Sequence, residues 1–95
     1  MTGEIRFSEA DVPAFPRHVR FRFDEARQNW VLLGPERVLM PDEIAVEVLK
    51  LCDGQASLGR IVDRLATAFE APREQIAPDV IALFNDLAAK GFVRR

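Results

Sequence analysis

The sequence is poor in the residues that build reactive centres, with one cysteine, one histidine and no tyrosine. A single thiol cannot form a disulfide within the chain. Cys52 and His18 are more than thirty positions apart, so neither a zinc site nor a Cys–His nucleophile has its partners. The acids are scattered, without a base–nucleophile pair or a glycine-rich phosphate loop. We therefore expect no enzyme activity, no catalytic residue, no metal and no cofactor.

The chain also lacks a hydrophobic run of the roughly 18 residues that can span a bilayer. Its first residues include Glu4, Glu9 and Asp11 and lack the basic and apolar regions of a secretory signal. We therefore expect a cytoplasmic protein with no membrane partner. The 95 residues allow one domain, and 48% hydrophobic with 29% charged residues is typical of a globular chain.

Apolar residues alternate in three short segments that follow an irregular start. Residues 1–16 show no period and contain two prolines, which predicts a flexible N-terminal arm before a domain at 17–95. Strands are expected at 19–23, 29–33 and 37–40, separated by polar or Gly-Pro turns. These strands predict a small antiparallel sheet.

The second half of the chain has the apolar spacing of three helices. Apolar residues recur at helical spacing over 42–53, and again from the capping residue Ser57 to Phe69. A third helix ends near Lys90, and Pro78 marks either its start or a kink. The helices must cover one face of the sheet. The expected fold is therefore α+β and winged-helix-like, a three-stranded antiparallel sheet followed by a three-helix bundle. The single cysteine is expected to be buried as a small apolar side chain.

Several short strings along the chain occur together in the order and spacing of a known family. They are LLGPERV at 32–38, DEIA at 42–45, VLKLCDG at 48–54, IVDRL at 61–65 and GFV at 91–93. In this combination the sequence resembles the PqqD family of pyrroloquinoline quinone biosynthesis, from about residue 17 to the last residue. The resemblance implies a domain that recognises ribosomally made, modified peptides.

The resemblance also implies partners and a task. A PqqD-type protein is a peptide chaperone that binds the precursor peptide PqqA and presents it to PqqE. PqqE is a radical S-adenosylmethionine enzyme that cross-links a Glu and a Tyr of the peptide, so the iron–sulfur cluster would belong to PqqE. Some members are fused to the next enzyme of the pathway, and residues 1–16 could be a linker remnant.

The third strand lies at the edge of the expected sheet, where unpaired N–H and C=O groups can accept an extended peptide as another strand. We expect the peptide between this strand and one flank of the third helix. The residues expected to bind it are Arg37, Val38, Leu39, Met40, Ile81, Phe84, Asn85 and Ala88. Two alternatives stay open: Ile81 and Phe84 belong to the core, or the N-terminal arm or a second copy covers the edge.

Two residues of the first turn, Asp24 and Arg27, either pair with each other or contact a partner.

The other function considered is a winged-helix DNA-binding transcriptional regulator, which also has a small sheet and three helices. Phosphate binding needs clustered Lys and Arg, and the net charge of −2 argues against nucleic acid as a partner. The sequence leaves open a monomer or a domain-swapped dimer.

Overall fold

The computed structural model describes residues 6–95 as a three-stranded antiparallel sheet followed by three helices. The strands are β1 (Arg20–Asp24), β2 (Asn29–Leu33) and β3 (Val38–Leu39), and the helices are α1 (Glu43–Lys50), α2 (Leu58–Phe69) and α3 (Arg73–Ala89). β2 lies in the centre of the sheet and pairs with both of its neighbours. The expected α+β order of three strands and three helices is confirmed.

Alternation along the strands gives the sheet one face that packs on the core. On this face Phe21 stacks on Trp30, with ring centroids 4.8 Å apart, and Leu32 is fully buried. Leu39 of β3 lies opposite Leu32 and packs against the same core. Arg22, which alternates with these apolar residues, is exposed. The short strand β3 is therefore attached to the core through Leu39.

Side-chain caps set the starts of α1 and α2. The Asp42 carboxylate accepts a hydrogen bond from the N–H of Ala45 at 2.8 Å. The Ser57 hydroxyl, which the sequence predicts as a cap, accepts one from the N–H of Arg60 at 3.2 Å. Caps of this kind typically contribute about 1 kcal/mol each. Both helices therefore begin where the sequence provides an oxygen acceptor.

The lengths of α1 and α3 differ from those predicted. α1 ends at Lys50 rather than at residue 53, because the Asp53 carboxylate accepts two backbone N–H groups of the next loop, each at 2.9 Å, and holds a turn there. α3 begins at Arg73 and continues through Pro78, at the loss of one helical hydrogen bond. Within residues 6–95, no helix combines the length and the apolar character needed to cross a membrane.

Residues 6–16 differ from the flexible arm that the sequence predicts, because they are packed against the helices. Phe7 is only 5% exposed, and its ring centroid lies 5.7 Å from that of Phe84 in α3. The N–H of Phe7 donates to Asn85 Oδ1 at 2.8 Å. Pro13 is fully buried as well. We call residues 6–16 the N-terminal strap.

Backbone hydrogen bonds hold the strap along its length. The carbonyl groups of Glu9 and Asp11 accept the first two N–H groups of α2, at 2.9 and 2.8 Å. Farther along, Ala14 forms an antiparallel bridge with Arg94, with N···O distances of 2.8 and 2.9 Å. The folded unit therefore starts before the expected boundary at residue 17. The part of the predicted arm at residues 1–5 lies outside the described residues.

Candidate functional site

Among residues 6–95, β2 is the only neighbour of β3 in the sheet, so within this part of the chain the other edge of β3 is free. The N–H of Gly34 donates to the carbonyl oxygen of Arg37 at 2.9 Å, which makes these two residues a hydrogen-bonded pair. Hydrogen-bonded and non-hydrogen-bonded pairs alternate along antiparallel strands. The next pair, Leu33 and Val38, is therefore not hydrogen-bonded. It follows that the N–H and C=O of Val38 point away from β2.

The same alternation assigns the residues that follow Val38. Leu39 faces Leu32 in a hydrogen-bonded pair, so its backbone groups are used within the sheet. Met40 comes next, after the end of β3, and a continued strand would present its N–H and C=O outward as well. An extended chain can therefore pair with Val38 and Met40 as an additional strand.

One stripe of α3 faces the segments that precede and follow β3. Asp79 and Leu83 line a cavity of about 220 Å³ together with residues at the start of α1. Towards the end of α3, Lys90 and Arg37 line another cavity, of about 260 Å³. At about 100° per residue, Asp79, Leu83 and the C-cap residue Lys90 fall within about 40° of one another around the axis of α3. We call the space between residues 37–42 and this stripe the β3–α3 cleft.

The flank of α3 that the sequence analysis selected lies on the other side of the helix. Ile81 and Asn85 point about 160° away from Leu83. Phe84 is fully buried and Ala88 is 8% exposed, so both belong to the core. The N-terminal strap covers this side, because Phe7 packs there. These four α3 residues therefore do not line the β3–α3 cleft, and for Phe84 the alternative of a core position is the one that the structure supports.

Of the four strand residues expected to bind a peptide, Arg37 lines the 260 Å³ cavity, and Val38, Leu39 and Met40 lie between Arg37 and the Asp42 of the other cavity along the chain. Val38 is 55% exposed and Met40 is 49% exposed, so their apolar side chains are accessible. Arg37 is exposed as well, whereas Leu39 is half-buried against the core. Val38 thus offers outward backbone groups, and both Val38 and Met40 offer exposed apolar surface.

The sequence analysis missed an apolar surface that continues from the cleft across α1 to the end of α2. Ile44 is 69% exposed and Phe69 is 49% exposed. Both line a cavity of about 210 Å³ together with Ile76 and Val80. Their helical spacing marked Ile44 and Phe69 as core residues, and no local signal distinguishes them. Contiguous exposed apolar surface is typical of an interaction site.

The turn between β1 and β2 is held by its own residues. Asp24 Oδ1 accepts hydrogen bonds from the N–H groups of Ala26 and Arg27, at 3.0 and 3.3 Å. The other oxygen, Oδ2, lies 3.9 Å from Arg27 Nε. Of the two alternatives left by the sequence, pairing between Asp24 and Arg27 is therefore present. The Arg27 side chain is still 53% exposed and accessible to another molecule.

The single thiol lies outside the cleft. Cys52 is 7% exposed, as the sequence analysis expected, and its Sγ donates to the carbonyl oxygen of Pro13 at 3.6 Å. Burial, with a smaller contribution from Asp53, raises the pKa of Cys52 to about 12. The thiol is therefore protonated at neutral pH and is a poor nucleophile.

The fold and the cleft define a class of small α+β domains in which a three-stranded sheet keeps one edge open beside a helix. The family model of coenzyme PQQ synthesis protein D (PqqD) matches residues 29–93. The chain belongs to the PqqD family.

Relatives of known name cover almost the whole chain. A PqqA binding protein of Rhodopseudomonas palustris (strain BisB5) is 58% identical over 89 residues, which are 94% of this chain and 87% of that protein. A PqqA binding protein of Xanthomonas euvesicatoria is 43% identical over 94 residues, 99% of both chains. A bifunctional coenzyme PQQ synthesis protein C/D of Methylorubrum extorquens is also 43% identical, over 94% of this chain, but the match covers 24% of that longer protein.

Two solved structures share the fold. The first is the solution NMR structure of the PqqD truncation of Methylobacterium extorquens PqqCD, described as a functional, stand-alone recognition element for ribosomally synthesised and post-translationally modified peptides. It matches with a TM-score of 0.80 at 43% identity, over 94% of this chain and 95% of that chain. The second is the crystal structure of PqqD from Xanthomonas campestris, with a TM-score of 0.60 at 42% identity, over 94% and 99% of the two chains.

Proposed function

We propose that this chain binds a PqqA-type precursor peptide as a fourth strand on β3 and presents it to the radical S-adenosylmethionine enzyme PqqE. The observation that carries the proposal is the free edge of β3 beside the β3–α3 cleft. In a strand continued through Met40, Val38 and Met40 offer outward backbone groups for pairing, and Leu83 offers apolar surface. The names of the relatives, PqqA binding proteins, support the choice of peptide.

A preformed edge suits this task for an energetic reason. A disordered peptide that orders on binding gives up roughly 2–5 kcal/mol of the gross interaction energy. Strand addition to an edge that is already in place adds little ordering cost on the protein side, and apolar burial contributes about 25 cal/mol per Å². The cross-linking of the Glu and the Tyr would be carried out by PqqE with its own cofactors. We place this step in the cytoplasm, where ribosomal peptides are made.

The direct test is a titration of the isotope-labelled chain with a synthetic PqqA peptide of Rhodopseudomonas palustris, followed by NMR. The amides of Val38 and Met40 should shift and become protected from hydrogen exchange, because they gain partners. The amide of Leu39 should be protected before and after peptide addition, since it already bonds to β2. Shifts that cluster on α2 and spare β3 and α3 would contradict strand addition.

Two truncations on opposite faces of α3 test the position of the peptide. Leu83 and Ile81 are both half-buried aliphatic residues of the same helix, so Leu83→Ala and Ile81→Ala remove similar amounts of side chain. Leu83→Ala should weaken peptide binding about tenfold through lost apolar contact, whereas Ile81→Ala should leave the affinity unchanged. The reverse result would place the peptide on the strap side of α3. A Leu39→Pro exchange is a poor test of peptide pairing, because the Leu39 N–H faces β2.

The surface that meets PqqE is proposed to include the turn between β1 and β2. Asp24 holds this turn, so Arg27→Ala is the cleaner variant. It should leave the affinity for PqqA unchanged and slow the cross-linking of PqqA by PqqE in the presence of the chain. An unchanged cross-linking rate would remove Arg27 from the proposed contact.

The charges near the cleft argue against the DNA-binding alternative. Asp42, Asp79 and Asp86 are exposed at or beside the cleft. Binding to DNA depends on lysines and arginines that neutralise phosphates, and carboxylates at this position repel them. A mobility-shift assay at low salt should therefore give no sequence-selective complex.

A further inference from the structure

The end of the β3–α3 cleft next to α1 combines an apolar cavity with two carboxylates. The walls of the 220 Å³ cavity are formed by aliphatic residues of α1 and α3, including Val48 and Leu83. Asp42 and Asp79 line the same cavity, one from each helix. Within residues 6–95, Asp79 makes no ion pair, and Asp42 is engaged only as the cap of α1. No cation of the described residues lines this end.

The opposite end of the cleft carries cations. Arg37 and Lys90 line the 260 Å³ cavity there, together with one acid, Glu36. Lys90 Nζ is 3.0 Å from Asp86 Oδ2, whereas Arg37 has no ion-pair partner in the part of the chain that the structure describes. The two ends of the cleft therefore differ in charge: carboxylates alone at one end, and an unpaired guanidinium at the other.

Helix geometry gives the distance between the two ends. Lys90 follows Asp79 by eleven residues, which corresponds to about 16 Å along α3 at about 1.5 Å per residue. An extended peptide rises about 3.3 Å per residue, so about five residues cover the same distance. One short strand of peptide on β3 is therefore long enough to reach both ends.

We propose that the β3–α3 cleft recognises a charge order in its peptide: a Lys or Arg beside Asp42 and Asp79, apolar residues on Leu83, and a carboxylate about five residues away beside Arg37. The cavity suits a long cationic side chain, because its methylene stem can lie on aliphatic walls while its charged group reaches the carboxylates. The inference rests on the proposed peptide binding and adds which charge of the bound segment lies at which end of the cleft. Charge complementarity of this kind sets orientation more than affinity.

The test removes the two carboxylates without removing the cap of α1. Asparagine also caps helices, so the double variant Asp42→Asn/Asp79→Asn keeps a capping oxygen while it loses both charges. A matched control, Glu25→Gln/Glu74→Gln, removes two exposed charges outside the cleft. Glu74 lies on α3 about 180° from Leu83. The two double variants have the same net charge, so a difference in their peptide affinity reports where the removed charges lie.

Binding of fluorescently labelled synthetic PqqA peptide of Rhodopseudomonas palustris is measured for both variants at low and at moderate salt. The cleft variant should bind about three- to tenfold more weakly than the wild type and lose part of the salt dependence, whereas the control should match the wild type. The cationic residues of the peptide are then replaced by Gln, one at a time. At one position the replacement should weaken binding to the wild type and leave binding to the cleft variant unchanged.

The outcomes separate this inference from the proposed function. A wild-type chain that does not bind the peptide at β3 would overturn both. If the wild type binds and the cleft variant keeps the same affinity and salt dependence, the charge order is wrong while strand addition stands. Equal losses in the cleft variant and the control would also overturn the charge order, because only overall charge would then matter.

Discussion

Replacing Phe7 by alanine tests whether the N-terminal strap is part of the folded core. Phe7 is 5% exposed and packs on the fully buried Phe84. Truncation of a buried Phe to Ala costs about 3–5 kcal/mol in the free energy of unfolding, and we expect a loss of at least about 3 kcal/mol. For a domain of this size each kcal/mol lowers the Tm by about 4–8 °C. The Tm should therefore fall by at least about 12 °C, as measured by circular dichroism.

A matched truncation separates burial from residue type. Phe69 is 49% exposed, so Phe69→Ala should cost only about 1 kcal/mol in the same urea and thermal unfolding experiments. Asn85→Ala removes the acceptor for the Phe7 N–H and should cost about 1 kcal/mol. If the free energy of unfolding of Phe7→Ala is within about 0.5 kcal/mol of the wild-type value, the strap does not contribute to the core. Residues 6–16 would then be the flexible arm that the sequence predicts.

Three further changes have defined outcomes. Burial raises the pKa of the Cys52 thiol from 9.0 to about 12 in the folded chain. As the pH rises above 9, the thiol therefore ionises in the unfolded chain before it does in the folded chain. The free energy of unfolding should fall by up to about 1.4 kcal/mol per pH unit between pH 9 and pH 12. Urea unfolding at pH 8 and 10.5 should show this loss, and Cys52→Ala should reduce it. Asp42→Ala should cost about 1 kcal/mol in urea unfolding and Asp42→Asn much less; equal losses would exclude capping. Gly91 has a φ of 84°, and a Cβ added there would meet no atom within 4 Å. Gly91→Ala should therefore lower the free energy of unfolding by about 1 kcal/mol through backbone strain alone. An unchanged urea midpoint would contradict this.

The order of strands and helices could be predicted because its signals are local. Alternation marks β1, the Gly34-Pro35 break separates β2 from β3, and Ser57 marks the start of α2. The strap has no such signal. Phe7 is a single apolar residue between Arg6 and Ser8, and it is buried by a helix that lies 78 positions farther along the chain.

On the strand side the candidate site keeps the residues that the sequence suggested, whereas on the helix side the structure offers different residues. A strand after the last turn of a three-stranded meander lies at the edge, and this is why Val38 and Met40 remain the strand residues of the proposed site. On α3, Leu83 and Phe84 are neighbouring apolar residues, and either could face the core. Only the tertiary structure decides between them: the strap packs on the side of Phe84, which leaves Leu83 for the cleft.

The strap also sets the order in which this chain can complete its fold during synthesis. Phe7 leaves the ribosome 78 residues before its partner Asn85, and Ala14 likewise emerges long before its partner Arg94. At roughly 5–20 residues per second, the strap waits several seconds for these partners. Contacts between such distant residues also slow folding, because a long loop must close first. The first described residues are thus placed only when the last ones emerge, and the hydrophobic side chain of Phe7 is without its binding site until then.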